Sequence, residues 1–282
     1  MKKTKYLTFA AVALMLVACS QNEEPVLQEK EMPITIASAG MNELVASRAA
    51  TPLTSGSLGL YVTGTDLDVK YTASNVEWTY NNEWQSQGEK VLFAGAGKQS
   101  AYAYHPYAPS AYTDGFPTDG TTDLLWWKSE STLAAASFPI EFTHALSKLT
   151  IDLKKGSEVP SDIMSVTVVG TKLTGTPNFA AQTWTVDANT AAADIAATST
   201  TITSGKDATY TVLLIPQTTS ALKVVITTSD DRIFAYTHNG SQTFAAGHAY
   251  TLALTVGGDA VKTGGIVAAN WSQVNSDNLV TE

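Results

Sequence analysis

From Ile34 onward the apolar residues recur mostly at every second position, and no segment holds a 3.6-residue period for three turns without a Gly or a Pro. Side chains at alternate positions of a strand face opposite ways, so this pattern gives strands with one apolar face. Such faces are buried by pairing sheet against sheet, and the chain is therefore read as all-β, most simply as β-sandwiches. Leu58-Gly59-Leu60-Tyr61-Val62 reads as a strand, as does Val76, Trp78 and Tyr80 ahead of an Asn81-Asn82 turn. Tyr102 and Tyr104 share a face before His105-Pro106, which should end their strand. Leu149, Ile151 and Leu153 alternate with polar neighbours, and Tyr210, Val212 and Leu214 follow later, stopped by Pro216. Tyr250, Leu252, Leu254 and Val256 form the cleanest run.

At 282 residues and 44% hydrophobic content, the chain is long enough for two cores of ordinary size. Only 15% of residues are charged, too few for coiled coils. With 17 Lys and Arg against 26 Asp and Glu, the net charge of −9 opposes binding to a phosphate backbone, and nucleic acid is not expected as a partner. Turn-rich and small residues between Pro117 and Pro139 break the strand pattern, which puts one domain at 49–138 and a second at 139–282. The stretch from Asn178 to Ser204 lacks alternation apart from Trp184 and Val186 and reads as a long hairpin or surface loop.

The N-terminus carries a different signal. Lys2, Lys3 and Lys5 precede an apolar run from Leu7 to Ala18 that is too short to span a bilayer of ~30 Å as a helix. Residues 1–18 therefore read as a secretory signal. Leu16-Val17-Ala18-Cys19 matches a bacterial lipobox, at which the signal is cut and Cys19 is acylated. Residues 19–48 then form a lipidated tether ahead of the first domain. Cys19 is the single cysteine, so disulfides, thiol catalysis and cysteine-based metal sites are not expected.

Nothing in the remaining sequence points to a catalytic residue, a metal or a cofactor. His105, His144, His238 and His248 do not fall at metal-ligand spacing, and no nucleophile-elbow, zinc-protease or phosphate-loop pattern is present. His144 is expected to be a packed or hydrogen-bonded strand residue. Of six tryptophans, the adjacent Trp126 and Trp127 point to opposite sides of any strand, which makes this pair the candidate for stacking on a glycan. Arg48, between small residues in a flexible stretch, is an accessible protease site, with Ala49 as the new N-terminus.

Several pieces together resemble the fimbrillin-like proteins, subunits of type V pili. They are the lipobox at Cys19, Arg48-Ala49, Ala103-Tyr104-His105-Pro106-Tyr107 and Phe142-Thr143-His144-Ala145-Leu146-Ser147-Lys148-Leu149. Leu214-Ile215-Pro216-Gln217, Phe244-Ala245-Ala246-Gly247 and a terminal Ile266 with Asn270-Trp271 complete the set. The resemblance implies two transthyretin-like β-sandwich domains in tandem and export as a lipoprotein to the outer membrane. It further implies cleavage after Arg48 by an Arg-specific protease, and polymerisation with other pilus subunits by strand exchange in surface fimbriae. On that reading Ile34 and Ile36 lie on the strand displaced by cleavage. The donor strand is sought near the C-terminus, with Ile266, Val267, Ala269, Trp271 and Val274 as candidates. A stalk position and a tip position both remain open, and host or bacterial surface ligands are further partners. The alternative is a surface lipoprotein that stays anchored through Cys19 and binds glycans through Trp126 or Trp127. Cys19→Ser is expected to block acylation and impair surface delivery; normal labelling with a radioactive fatty acid and normal surface exposure in that variant would remove the lipoprotein assignment.

Overall fold

The computed structural model describes residues 32–42, 51–159, 162–200, 207–257 and 261–271. Cys19, Arg48, Ala49 and Val274 lie outside the described residues. In the first half the strands are β1 (Thr35–Met41), β2 (Thr51–Pro52), β3 (Ser57–Thr63), β4 (Ala73–Tyr80), β5 (Trp84–Ser86), β6 (Ser100–His105), β7 (Phe116–Pro117), β8 (Leu125–Lys128) and β9 (Ser137–His144). There follow β10 (Ser147–Lys155), β11 (Ile163–Thr171), β12 (Thr174–Asn178), β13 (Thr183–Thr185), β14 (Ala193–Ala196), β15 (Thr198–Thr200) and β16 (Ala208–Leu214). The last are β17 (Gln217–Thr219), β18 (Lys223–Thr228), β19 (Ile233–Thr237), β20 (Gln242–Phe244), β21 (His248–Val256) and β22 (Val261–Asn270). The all-β expectation holds, and β6 ends at His105 and β16 at Leu214, just ahead of their prolines.

An eight-stranded sheet runs in the order β2-β1-β9-β8-β6-β3-β4-β5. Its two ends close on one another, because Ile36 and Met41 of β1 share a single apolar cluster with Trp78 of β4 and Trp84 of β5. Leu58, Leu60 and Val62 of β3 and Phe138, Ile140 and Phe142 of β9 fill the same interior. A second cluster is made by two facing sheets: β15-β16-β10-β21-β22 contributes Leu149, Ile151, Leu252 and Leu254, and β14-β11-β18-β19 contributes Val166, Val168, Val224 and Ile226. The alternating runs of the sequence supply these inward faces.

Two features differ from the sequence reading. Residues 138 and 139 are the second and third residues of β9, which belongs to the eight-stranded sheet and pairs with β1 and β8. The stretch from Asn178 to Ser204 includes, besides the hairpin of β12 and β13, two short strands: β14 joins β11, and β15 joins β16. A single buried side chain, Ile195, fastens β14, which is too little to produce a visible period.

A third cluster joins the two halves. On β6, Ala101 and Ala103 enter the first core, and Tyr102 and Tyr104 face the other way, toward Phe116, Phe179, Leu213 and Ile215. Tyr104 is fully buried, its ring stacked on Phe179 with centroids 4.1 Å apart. Gly59 opposes it on β3, and a Cβ there would collide with the Tyr104 ring. The Tyr104 hydroxyl donates to Asn75 Oδ1 or to the Ala108 carbonyl, each at 2.7 Å, and accepts from the Ala108 amide.

Burial raises the ionisation of Tyr104 well above the ordinary phenol value and pushes Tyr61 up to about 12, helped by the neighbouring Tyr102 and Tyr107. These groups fold neutral, so their contribution is complete below the unfolded value near 10 and is lost as pH rises through the folded values. Tyr104→Phe is expected to lower the unfolding free energy by about 1–3 kcal/mol at pH 7, because Asn75 and Ala108 lose a partner. The same change should flatten the loss of stability above pH 10, read from urea unfolding at pH 7 and pH 10.5.

Candidate functional site

β1 is the only strand among those described that comes from the N-terminal side of Arg48. It lies inside the eight-stranded sheet, between β2 and β9, and not at its border. Its pairing with β9 is parallel, with Ala39 opposite Ile140 and Met41 opposite Phe142, and a bulge between Ile36 and Ser38 shifts the register. The bulge explains the burial pattern: Ile34 and Ile36 point inward on one side of it, and Ala39 and Met41 on the other. β2 pairs with the far edge at Gly40 and Met41, and its approach needs a glycine at 40, where a Cβ would stand 2.6 Å from the Thr51 carbonyl oxygen. Main-chain bonds continue at both ends, from Ile34 to Val91 and from Asn42 to Phe142. Ile34 and Ile36 are thus core residues of the first sandwich, 3% and 5% exposed.

The C-terminal candidates lie elsewhere. Ile266, Val267 and Ala269 are on β22, the border strand of the five-stranded sheet, antiparallel to β21. Ile266 is half-buried against the second core; Val267 and Ala269 are exposed. Trp271 follows directly. Its amide donates to the Gly247 carbonyl at 2.7 Å, and its indole lies flat on His144, with ring centroids 3.4 Å apart and planes 2° from parallel.

His144 ends β9 and is 5% exposed. Its Nδ1 donates to Asp123 Oδ2 at 2.6 Å. Its Nε2 and the other Asp123 oxygen are buried without a hydrogen-bond partner. Lys148 places its ammonium 5.2 Å from the centre of the indole. Burial lowers the Lys148 ionisation, with the Asp123 charge pulling the other way. His105, at the end of β6, is lowered by burial as well, against the Ser57 carbonyl and Asp123. The sequence reading of His144 as a packed, hydrogen-bonded residue matches this setting. Its pairing with Trp271 was missed, since no local pattern links positions 127 residues apart.

Trp126 is 4% exposed, with its ring near Trp184, which leaves no open face for a sugar. Trp127 is half-buried and stacks on Phe138. Both border a shallow groove of about 320 Å³ whose polar lining includes Glu130, Glu141 and Gln182. Among the described residues no group of three or more His, Cys, Asp or Glu side chains is placed to hold a metal.

No curated protein matches the chain. Solved structures do. A candidate cell adhesion protein from Bacteroides uniformis is 18% identical, with a TM-score of 0.63 over 86% of this chain and 99% of its own. One from Bacteroides ovatus is 18% identical, with a TM-score of 0.64 over 87% of this chain and 99% of its own. A third, from Bacteroides fragilis, shares 10% identity and a TM-score of 0.52 over 89% of this chain and 100% of its own. At these identities the shared property is the fold. Residues 48–271 match the fimbrillin-like family, from the cleavage-site candidate Arg48 to the indole seated on His144. The chain belongs to the fimbrillin-like family.

Proposed function

We propose that this chain is a structural and adhesive subunit of a surface fimbrium, exported as a lipoprotein through Cys19. It is matured by an Arg-specific protease at Arg48-Ala49 and assembled with other subunits by strand exchange. Family membership and the cell-adhesion descriptions of the similar structures support the fimbrial role. The observation that carries the assembly mechanism is the position of β1. It is upstream of Arg48 in sequence, yet it occupies an interior place in the first sheet.

The energetics decide how such a strand leaves. Burial of Ile34, Ile36 and Met41 contributes about 5–9 kcal/mol at ~1.5–3 kcal/mol each. That is comparable with the whole stability of an ordinary domain, so unaided departure of β1 would unfold the sandwich. Cleavage therefore does not empty the groove. It turns a tethered strand into a separate peptide that an incoming strand replaces stepwise, with backbone bonds exchanged along β9 and apolar side chains exchanged in the pockets of Ile34, Ile36 and Met41. A contact of this head-to-tail kind does not close on itself and yields a filament. The incoming strand comes from the C-terminal region of a neighbour, for which Ile266, Val267, Ala269, Trp271 and Val274 remain the candidates.

The chain has two arginines, Arg48 and Arg232. Arg232 donates to Asp230 at 2.9 Å and lies over the Phe234 ring in the turn before β19, which protects it. An Arg-specific protease is expected to generate Ala49 as the new N-terminus, with Arg232 intact. A labelled peptide of residues 32–42 in excess should then enter the cleaved chain and not the uncleaved one, and the Ile36→Asp peptide should fail to enter. Equal uptake by both forms, or none by the cleaved form, would rule out exchange at β1.

A further inference from the structure

Three of the sequence pieces that resemble the family meet at one point. Phe142 to Leu149 brings His144 and Lys148, Phe244 to Gly247 brings the Gly247 carbonyl, and Asn270-Trp271 brings the indole. Asp123, just ahead of β8, completes the slot from the first half of the molecule. We propose that this slot is a clamp for the Trp271 side chain, and that the clamp keeps the border strand β22 in its own sheet.

The need for a clamp follows from the character of β22. Of its ten residues only Val261 and Ile266 are half-buried; the rest are exposed. Its pairing with β21 slips register between Leu252 and Leu254, opposite the Gly264-Gly265 pair, where Gly265 takes a positive φ of 92°. Glycines and a bulge weaken a strand, and main-chain bonds at an exposed border compete with water. Apolar burial along β22 is thus too small to hold it, and the first large contact the strand makes is at its end, where Trp271 covers His144.

The slot is also built to open. While the indole is seated, His144 Nε2 and Asp123 Oδ1 are both buried without a partner. When it lifts, water reaches both atoms and their solvation offsets part of the lost stacking. A core contact offers no such return. Asp123 also orients the slot, since its bond to Nδ1 fixes the plane of the imidazole parallel to the indole, and Lys148 adds a cation near the indole. Asp123 and His144 are in this sense positioning residues for the C-terminal strand. The clamp stands on contacts within one chain; its consequence, that β22 is withheld from a neighbour until the indole is released, rests on the strand-exchange reading.

Hydrogen exchange on the full-length chain, with no protease and no second subunit, tests the clamp directly. Trp271→Ala is expected to speed amide exchange across residues 261–271 by about tenfold or more, the change that loss of one stacked aromatic contact makes in a local opening equilibrium. Exchange in β10 and β16 should be unchanged. Trp271→Phe should recover most of the protection, and His144→Ala should match Trp271→Ala, with the double variant no worse than either single one. Unchanged exchange in 261–271 would overturn the clamp. Deprotection that spreads through β10 and β16 would overturn it too, by making Trp271 an ordinary core residue, and so would additive effects in the double variant. If these results come out as expected while the cleaved chain takes up no peptide, strand exchange alone fails and the clamp stands.

Discussion

Residues 137–155 carry one continuous run of chain from the first core into the second, and the rest of the structure is arranged around them. β9 carries Phe138, Ile140 and Phe142 into the first core. The chain then turns at Ala145-Leu146, both fully buried, and β10 carries Leu149, Ile151 and Leu153 into the second. A corner buried this deeply needs its main-chain groups paired. The Ala145 amide donates to Leu124, the Ala145 carbonyl accepts the Trp184 indole N–H, and the Leu146 carbonyl accepts the Gly247 amide. Each of these bonds ties the corner to a different segment, so the two sheets cannot shift relative to one another without breaking several of them.

The corner also dictates that strands near it are buried on both faces. β6 and β8 supply the first core from one face and the aromatic seam from the other, with Ala103 beside Tyr104 and Leu125 beside Trp126. Away from the seam the alternation is clean, as on β9, where the odd-numbered residues from Ser137 to Thr143 are all exposed. That difference determines what can be read from sequence. The inward runs of β10 and β21 are legible because the residues between them are polar or small, whereas on β16 Leu213 turns to the aromatic seam. Tyr104 and Trp126 are buried although their neighbours Ala103 and Leu125 face the first core, and alternation alone does not say that a second layer covers the other face.

The pairing of β1 was beyond sequence reading for another reason. Pro33 to Ala37 alternates well enough to be a strand, but nothing local specifies that its partner is β9, 102 residues further on at Thr35, or that the two run parallel. Partner choice is made by the pockets that receive Ile34, Ile36 and Met41, and these exist only once β3, β4 and β5 have closed the sheet. The bulge after Ile36 adds a register shift with no signature in composition. Likewise His144 was legible as a packed or hydrogen-bonded residue because it falls at the end of an alternating strand, whereas its partner Trp271 comes 127 residues later, just past β22.

The two terminal strands are held by different physics, and the difference has a direction. β1 is interior and held by apolar burial that no solvent contact replaces, so its departure alone would strip a wall from the first core. β22 is a border strand, exposed except at Val261 and Ile266, and fastened at one end by a stack over two atoms that gain from hydration. Opening the C-terminal strand leaves both cores covered by their remaining strands, because only Val261 and Ile266 pack against the second cluster. Opening the N-terminal strand strips a wall from the first. On the strand-exchange reading proposed above, a chain built this way would resist accepting a strand until its own is cut free, and premature assembly would be opposed at the end where an error exposes a core.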